Sequence, residues 1–358
     1  MFVNFERSSK WACSRLAGAS RARAVMVLIV VVAWFGFFTG DCFAGPVAGS
    51  WDSLFGVAFA GSGRAFVVGS KALLLESDDS GKTWKTRRLG EIVRAFDLYG
   101  IRFDHDGVTG WIVGEHGTIY RTGDGGRNWS RQTCPIQDSL FKVTVRSATG
   151  ACAVGANGAL LCTEDGGVSW TINKFKDFTF FDVSADSNSG LLAVGEYKTI
   201  LFSSDWGKHW QVKAGGERIF TAPPYFAISL EPAGRGILAA LGPSFEETSD
   251  GGKSWAALPI KETQQVYSIY PPSGTTQPEF WVAGGQGYVG LLVGDHLDRI
   301  ETGATTDLSD IRFEGDVGLA VGLQGTLVRL QKREGVWRVA QSFSAQPTDE
   351  LSANETIE

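Results

Sequence analysis

A chain of 358 residues with 43% hydrophobic and 12% aromatic content is that of a packed globular protein, and its 46 glycines and 12 tryptophans point to many tight turns and aromatic contacts. The formal net charge is −6, with 39 acidic against 33 basic residues. Nucleic acid and anionic lipid surfaces both recruit clustered Lys and Arg, so an acid-rich chain is a poor candidate for either partner.

The chain opens on a segment unlike the rest. Arg7, Lys10, Arg15, Arg21 and Arg23 form a basic leader, and an apolar run follows from Ala24 to Phe38. Cys42-Phe43-Ala44 then offers small residues at the outer and inner positions of a cleavage site before Gly45. This is the pattern of a secretory signal peptide over residues 1–44. The apolar run is about 15 residues, short of the about 20 that a spanning helix needs, which leaves an uncleaved anchor as the second reading. Asp41 directly before Cys42 speaks against a lipoprotein attachment site. Cleavage removes five basic and two acidic residues and takes the formal charge from −6 to −9.

From there the chain repeats itself. Ser77-Asp78-Asp79-Ser80-Gly81-Lys82-Thr83-Trp84 returns over residues 122–129, 163–170, 203–210 and 248–255, always as Ser/Thr-x-Asp-x-Gly-x-x-Trp. The shared positions are Asp79, Asp124, Asp165, Asp205 and Asp250, with Trp84, Trp129, Trp170, Trp210 and Trp255. Successive tryptophans stand 45, 41, 40 and 45 residues apart, the period of a four-stranded propeller blade. A Gly ending the second strand recurs as Gly69, Gly114, Gly155, Gly195, Gly242, Gly284 and Gly322, which makes seven units. In the first four units the step from this Gly to the Trp is always 15 residues, so the hairpin is fixed and the blade connections vary.

The innermost strands alternate with period two, as in Phe55-Val57-Phe59 and Tyr99-Ile101-Phe103. The interleaved residues, among them Gly56, Arg102, Thr144, Ser184, Ser229 and Arg312, face the other way, and some line a central channel. Units six and seven lack the full motif but keep the strand pattern. Unit seven supplies four strands of its own, and no outer strand is evident before Trp51, so the mode of ring closure stays open. The expected fold is all-β: a seven-bladed β-propeller of four-stranded blades over residues 45–342, followed by a polar disordered tail at 343–358.

The repeated motif resembles the Asp-box, or BNR repeat, and its residue types have a physical logic. The Asp sits in a tight turn and accepts hydrogen bonds from the turn's own N–H groups. The Gly takes positive φ without steric cost, and the Trp buries a large ring between neighbouring blades. One carboxylate on each of five blades is a poor way to build a single catalytic centre. Three cysteines follow the leader: Cys134, Cys152 and Cys162. Cys152 and Cys162 lie on strands joined by a short turn. One register sets them opposite each other, where an oxidising compartment permits a bridge, and a one-residue shift leaves them as small buried residues. The four histidines are scattered, and no metal or cofactor is expected.

Over residues 51–341 the chain resembles the photosystem II stability and assembly factor family of Asp-box propellers, most closely at Gly114-Glu115-His116-Gly117-Thr118-Ile119-Tyr120-Arg121-Thr122. The resemblance implies a non-enzymatic seven-bladed scaffold that binds proteins during assembly of a membrane complex. It places the chain in the periplasm, or in the thylakoid lumen if the organism is photosynthetic. A protein partner and a monomer are expected, with no small-molecule substrate. The loops joining second and third strands form the usual ligand face, which offers Lys71, Glu115, His116, Asn157, Glu196, Tyr197, Lys198, Phe245, Gln286 and Gln324. Arg94, Arg121 and Arg127 belong, with Arg87, Arg88, Arg131 and Arg146, to a set of seven arginines that suits an acidic partner.

The competing reading is a sialidase-like glycoside hydrolase, in which Glu115 and Glu196 form a carboxylate pair. Sialidases are six-bladed, however, and carry an Arg-Ile-Pro motif that is absent here. The leader makes a concrete prediction: protein purified from the extracytoplasmic fraction begins at or near Gly45 on N-terminal sequencing, and a start at Met1 excludes cleavage.

Overall fold

Seven antiparallel sheets of four strands follow one another along the chain, and within each sheet the strand order is the chain order. The computed structural model describes residues 52–344 apart from 91–95, 186–189, 232–233, 243, 261–263 and 272–278. First strands of neighbouring sheets pack side by side, and that of blade one (Leu54–Phe59) packs against that of blade seven (Leu308–Glu314), which closes a ring. The chain is a seven-bladed, all-β propeller.

A blade cannot bury both its faces alone, and the apolar clusters show how the ring solves this. There are seven, one between each pair of neighbours, including Leu319, Val321 and Leu327 of blade seven against Val57, Val67 and Leu75 of blade one. Side chains buried this completely stabilise by about 1.5–3 kcal/mol each relative to exposure.

The closure left open by the sequence uses no shared strand. The fourth strand of blade seven, Val336–Ser344, pairs only with its own third strand. It runs to Ser344, two residues past the expected end of the propeller at 342. Side chains of blade seven clasp blade one instead. Asp310 accepts the Val57 N–H at 3.2 Å, Glu314 accepts the Gly63 N–H at 3.1 Å, and Arg329 donates to the Ser80 carbonyl at 2.8 Å.

Strict alternation fails at one position in every first strand. The register shifts between Leu54 and Gly56, and likewise in each of the other six blades, so the second residue of the strand has no partner of its own. That residue is Phe55, Tyr99, Phe141, Phe181, Phe226 or Tyr267 in blades one to six and Ser309 in blade seven. The bulge turns these rings towards each other, and centroids stand 5.3 Å apart for Phe55–Tyr99 and 4.9 Å for Phe181–Phe226. Phe55 therefore does not share a face with Val57, contrary to simple alternation.

The Gly that ends each second strand also has a steric reason. It is extended, with φ of −162° at Gly69, so positive φ is not the cause. A Cβ at Gly155 would overlap the carbonyl oxygen of Ser139, and the same holds at Gly69, Gly114, Gly195, Gly284 and Gly322. That carbonyl accepts the N–H of the residue after the Gly, 2.9 Å from Ala156 to Ser139. Blade five departs from the expected pattern. Its equivalent residue is Ala240, which pairs with Tyr225, while Gly242 lies beyond the strand in a turn at φ +82°.

The two cysteines meet in the first of their two possible registers. Cys152 and Cys162 are direct partners on the second and third strands of blade three and are joined by a disulfide. Replacement of Gly155 by Ala should cost about 1–3 kcal/mol, the usual range for overpacking, read as a lower urea midpoint at unchanged m-value. An unchanged midpoint would refute the close-approach reason for this glycine.

Candidate functional site

Each tight turn between third and fourth strands consumes its own carboxylate. In blade three the Thr163 hydroxyl donates to Asp165 at 2.8 Å and accepts the Gly167 N–H at 2.9 Å. The same Oδ1 of Asp165 also accepts the Ser169 N–H at 2.9 Å, and its Oδ2 accepts the Ser169 hydroxyl at 2.6 Å. The same bonds recur around Asp79, Asp124, Asp205 and Asp250. They hold Asp165 at about 2, through the Ser169 hydroxyl first, then its amide and the Thr163 hydroxyl. At Asp79 and Asp124 burial pushes the carboxyl up, but the turn's bonds outweigh it and bring both to about 2. Three of the four acceptor positions of such a carboxylate are thus committed to its own turn.

On the opposite face, the second-to-third strand loop of every blade except blade five is one short 3-10 turn with its middle residue in the left-handed region. Those residues are Lys71, His116, Asn157, Tyr197, Gln286 and Gln324, at φ between 51° and 57°. Such a conformation costs a non-glycine residue about 1–2 kcal/mol, least for Asn. The turn lifts the middle side chain to the rim, while carboxylates beneath fix the backbone. Asp97 accepts the Lys71 N–H at 2.9 Å and Asp307 the Gln286 N–H at 3.0 Å. Glu115 accepts the Asp97 N–H at 3.2 Å and Glu196 the Thr179 N–H at 2.8 Å. Glu115 and Glu196 thus each bind the backbone of their own blade.

Among the described residues, blade four turns this rim into an apolar prominence. The Tyr197 ring lies 4.8 Å from Phe178 and 5.9 Å edge-on from Phe220. Phe220 is 84% exposed and its neighbour Ile219 54%. Lys176 and Arg218 approach the Phe178 ring, and Lys198 stands over Tyr225 at 5.6 Å while pairing with Glu246 at 3.3 Å. The repeat pattern does not single out Ile219 and Phe220. Their signal is the connection itself, residues 215–224, which places two large apolar residues in a row outside any strand.

The remaining site residues fall elsewhere. Phe245 is no part of the rim: it is 1% exposed and packs with Ala239, Val266, Phe280 and Tyr288. The third strand of blade five begins at Ser244, so Phe245 is a strand residue on the core side. Arg94 lies outside the described residues. Arg121 belongs to a strand, stands 5.6 Å over the Trp111 ring and donates to the Ala148 carbonyl. Arg127 is in a third-to-fourth strand turn, on the face away from His116. Arg87, Arg88 and Arg146 are paired with Glu76, Asp52 and Glu164. The arginines therefore do not gather into one patch with the loop rim. Among the described residues no group of His, Cys, Asp and Glu could hold a metal ion.

Comparison with known proteins adds an independent line. A family model described as photosynthesis system II assembly factor YCF48 matches residues 49–135 and 129–270. The photosystem II assembly lipoprotein Ycf48 of Synechococcus sp. (strain CC9902) is 32% identical over 116 residues, covering 32% of this chain and 34% of that protein. The chain thus spans about a third of that relative's length. A solved structure of YCF48 bound to D1 peptide superposes with a TM-score of 0.65 at 19% identity, covering 83% of this chain and all of the other. An ancestral GH74 enzyme has a TM-score of 0.64 at 12% identity over 84% of this chain and 48% of that one. At these identities the two structures share the fold alone.

The turn carboxylates predict a pH dependence. Their folded pKa lies below the ordinary aspartate value of 3.8, so their contribution to stability is present above about pH 4 and is lost as pH falls towards 2. The double substitution Asp124→Asn, Asp165→Asn should lower the melting temperature at pH 6, and the gap from wild type should close by pH 2. A gap independent of pH would show that the charge is not what the turns use.

Proposed function

The chain belongs to the photosynthesis system II assembly factor YCF48 family, and from that premise we propose that it is a non-catalytic scaffold that binds an extended protein segment and thereby aids assembly or stability of a membrane or envelope complex. The observation that carries this reading is the rim of blade four. Exposed Phe220 and Ile219 beside Tyr197, with Lys176, Arg218 and Lys198 around them, combine large rigid apolar area with cationic donors. That is the composition of an interface centre, where aromatic and basic side chains supply most of the binding energy. His116 and the backbone-bound Glu115 and Glu196 extend the same face, and Arg121 and Arg127 form a separate, weaker contact for an acidic segment.

An exported location fits the reading: the leader has the pattern of a signal peptide, and the Synechococcus relative is a lipoprotein. The glycoside hydrolase alternative lacks support in the geometry. Glu115 and Glu196 are each bound to backbone amides, and the turn carboxylates are internally bonded.

The test is binding of a labelled D1 peptide, the ligand of the related propeller, followed by anisotropy. Ile219→Ser together with Phe220→Ser should weaken binding about tenfold or more, as loss of a hot spot does, at unchanged melting temperature because both side chains are exposed. Arg127→Ala should change binding less than threefold, within the worth of one exposed charge. Equal affinity of wild type and the Ile219/Phe220 variant would remove the rim from the site.

A further inference from the structure

The channel at the centre of the ring is built differently at its two ends. Towards the loop face the bulged aromatic residues form its wall. Towards the turn face it widens into a cavity of about 290 Å³, lined in part by Arg102, Thr144, Ser184, Ser229, Tyr270 and Arg312. None of these residues belongs to the loop rim, so the cavity is a separate feature.

Its charges do not balance. Arg102, Lys142 and Arg312, from blades two, three and seven, all converge on one carboxylate, Asp310, at 3.5, 3.7 and 3.0 Å. Asp310 is 2% exposed and is already committed, since it also accepts the Val57 N–H and the Ser268 hydroxyl. A second carboxylate of the channel, Asp182, accepts the N–H groups of Val183 and Ile228, one on each oxygen; burial raises its pKa, while the nearby charges of Lys142 and Arg102 act to lower it. Three cations thus meet two carboxylates, Asp310 and Asp182. Arg312 is fixed by Asp310, Ser268 and the carbonyl of Ile311, with its plane over the Tyr270 ring at 5.6 Å. Arg102 donates to the carbonyl of Ile101 and stands 3.5 Å from Asp310, and the Lys142 ammonium, its side chain 15% exposed, stands 3.7 Å from Asp310 and within electrostatic reach of Asp182.

A sequestered cation with unused donors is stabilised by an oxygen-rich anion, because charge-assisted hydrogen bonds are strong where solvent is scarce. We propose that the turn-face end of the channel is a binding site for a small oxyanion, a carboxylate or phosphate group, held by Arg102 and Arg312, with Lys142 adding positive charge behind the cavity wall. Ser184, Ser229 and Thr144 supply hydroxyls around it. Two sources carry this chemistry: a free ion, or the carboxylate that ends a peptide chain. A cavity of about 290 Å³ is too small for a folded partner.

The experiment is calorimetric titration of the folded protein with inorganic phosphate and with acetate, at low ionic strength. Wild type should bind at least one of them saturably with one site. Arg102→Gln should weaken that binding about tenfold, the effect expected for one charge-assisted contact. Arg312→Gln should weaken it further. It also unpairs Asp310, so its reading counts only where the melt shows a folded protein, and Arg102→Gln, whose side chain is 27% exposed, decides the case otherwise. A short peptide with a free C-terminal carboxylate and its amidated twin then compete against phosphate. Displacement by the free-ended peptide alone assigns the site to a chain terminus, and displacement by neither assigns it to the free ion. No saturable binding by wild type, or equal binding by Arg102→Gln, overturns the proposal.

Discussion

The contact on which the ring depends is the one between a turn and the blade before it. The hydroxyl–carboxylate–amide network closes each turn so tightly that its last Gly lies against the preceding blade with no space for a side chain. A Cβ at Gly126 would overlap Phe66, at Gly252 Leu192 and at Gly81 Leu319. The following Trp lies over the same neighbour, as Trp129 does edge-on to Phe66 at 6.1 Å and Trp170 to Trp111 at 5.7 Å. One local motif therefore sets both the hairpin and the blade-to-blade distance. Small errors cannot be absorbed, because packed interiors have no slack.

The same design separates stability from binding by face. Turn carboxylates are internally satisfied and sit where they clamp the ring. The opposite loops hold their backbones with buried or half-buried acids, which frees the middle side chain of each loop for contact. Backbone in the left-handed region at six of these loops, with Lys, His, Tyr or Gln at five of them, is a local cost maintained by those acids. Blade four alone adds the exposed pair Ile219 and Phe220, and so breaks the near symmetry of the rim.

The two missing turn motifs in blades six and seven show which parts of the repeat are dispensable. Blade seven keeps its four strands and its core contacts, with Trp337 edge-on to Phe313 at 4.9 Å. Ring closure is then carried by Asp310, Glu314 and Arg329 reaching into blade one. Asp310 serves two ends at once: it clasps the last blade to the first and anchors the cations of the channel.

Blade number, strand order and the turn chemistry were legible in the sequence, because each depends on residues within one 40–45 residue unit. The constant 15-residue step from Gly to Trp reflects a hairpin whose geometry is local. What neighbours decide was not legible there. Phe245 has the setting of a loop residue in the pattern, yet blade six covers it. Phe55 and its counterparts break the alternation because a bulge shifts the register, in blade five too, where Ala240 stands in place of the Gly. The described arginines of that set stand close in the sequence but divide between strands, as Arg121 does, and a turn, as Arg127 does. Cations from blades two, three and seven meet only because the ring closes. A repeat specifies its own unit by short-range chemistry, whereas the channel, the rim and the charges they bring together are set by the curvature of the assembled ring.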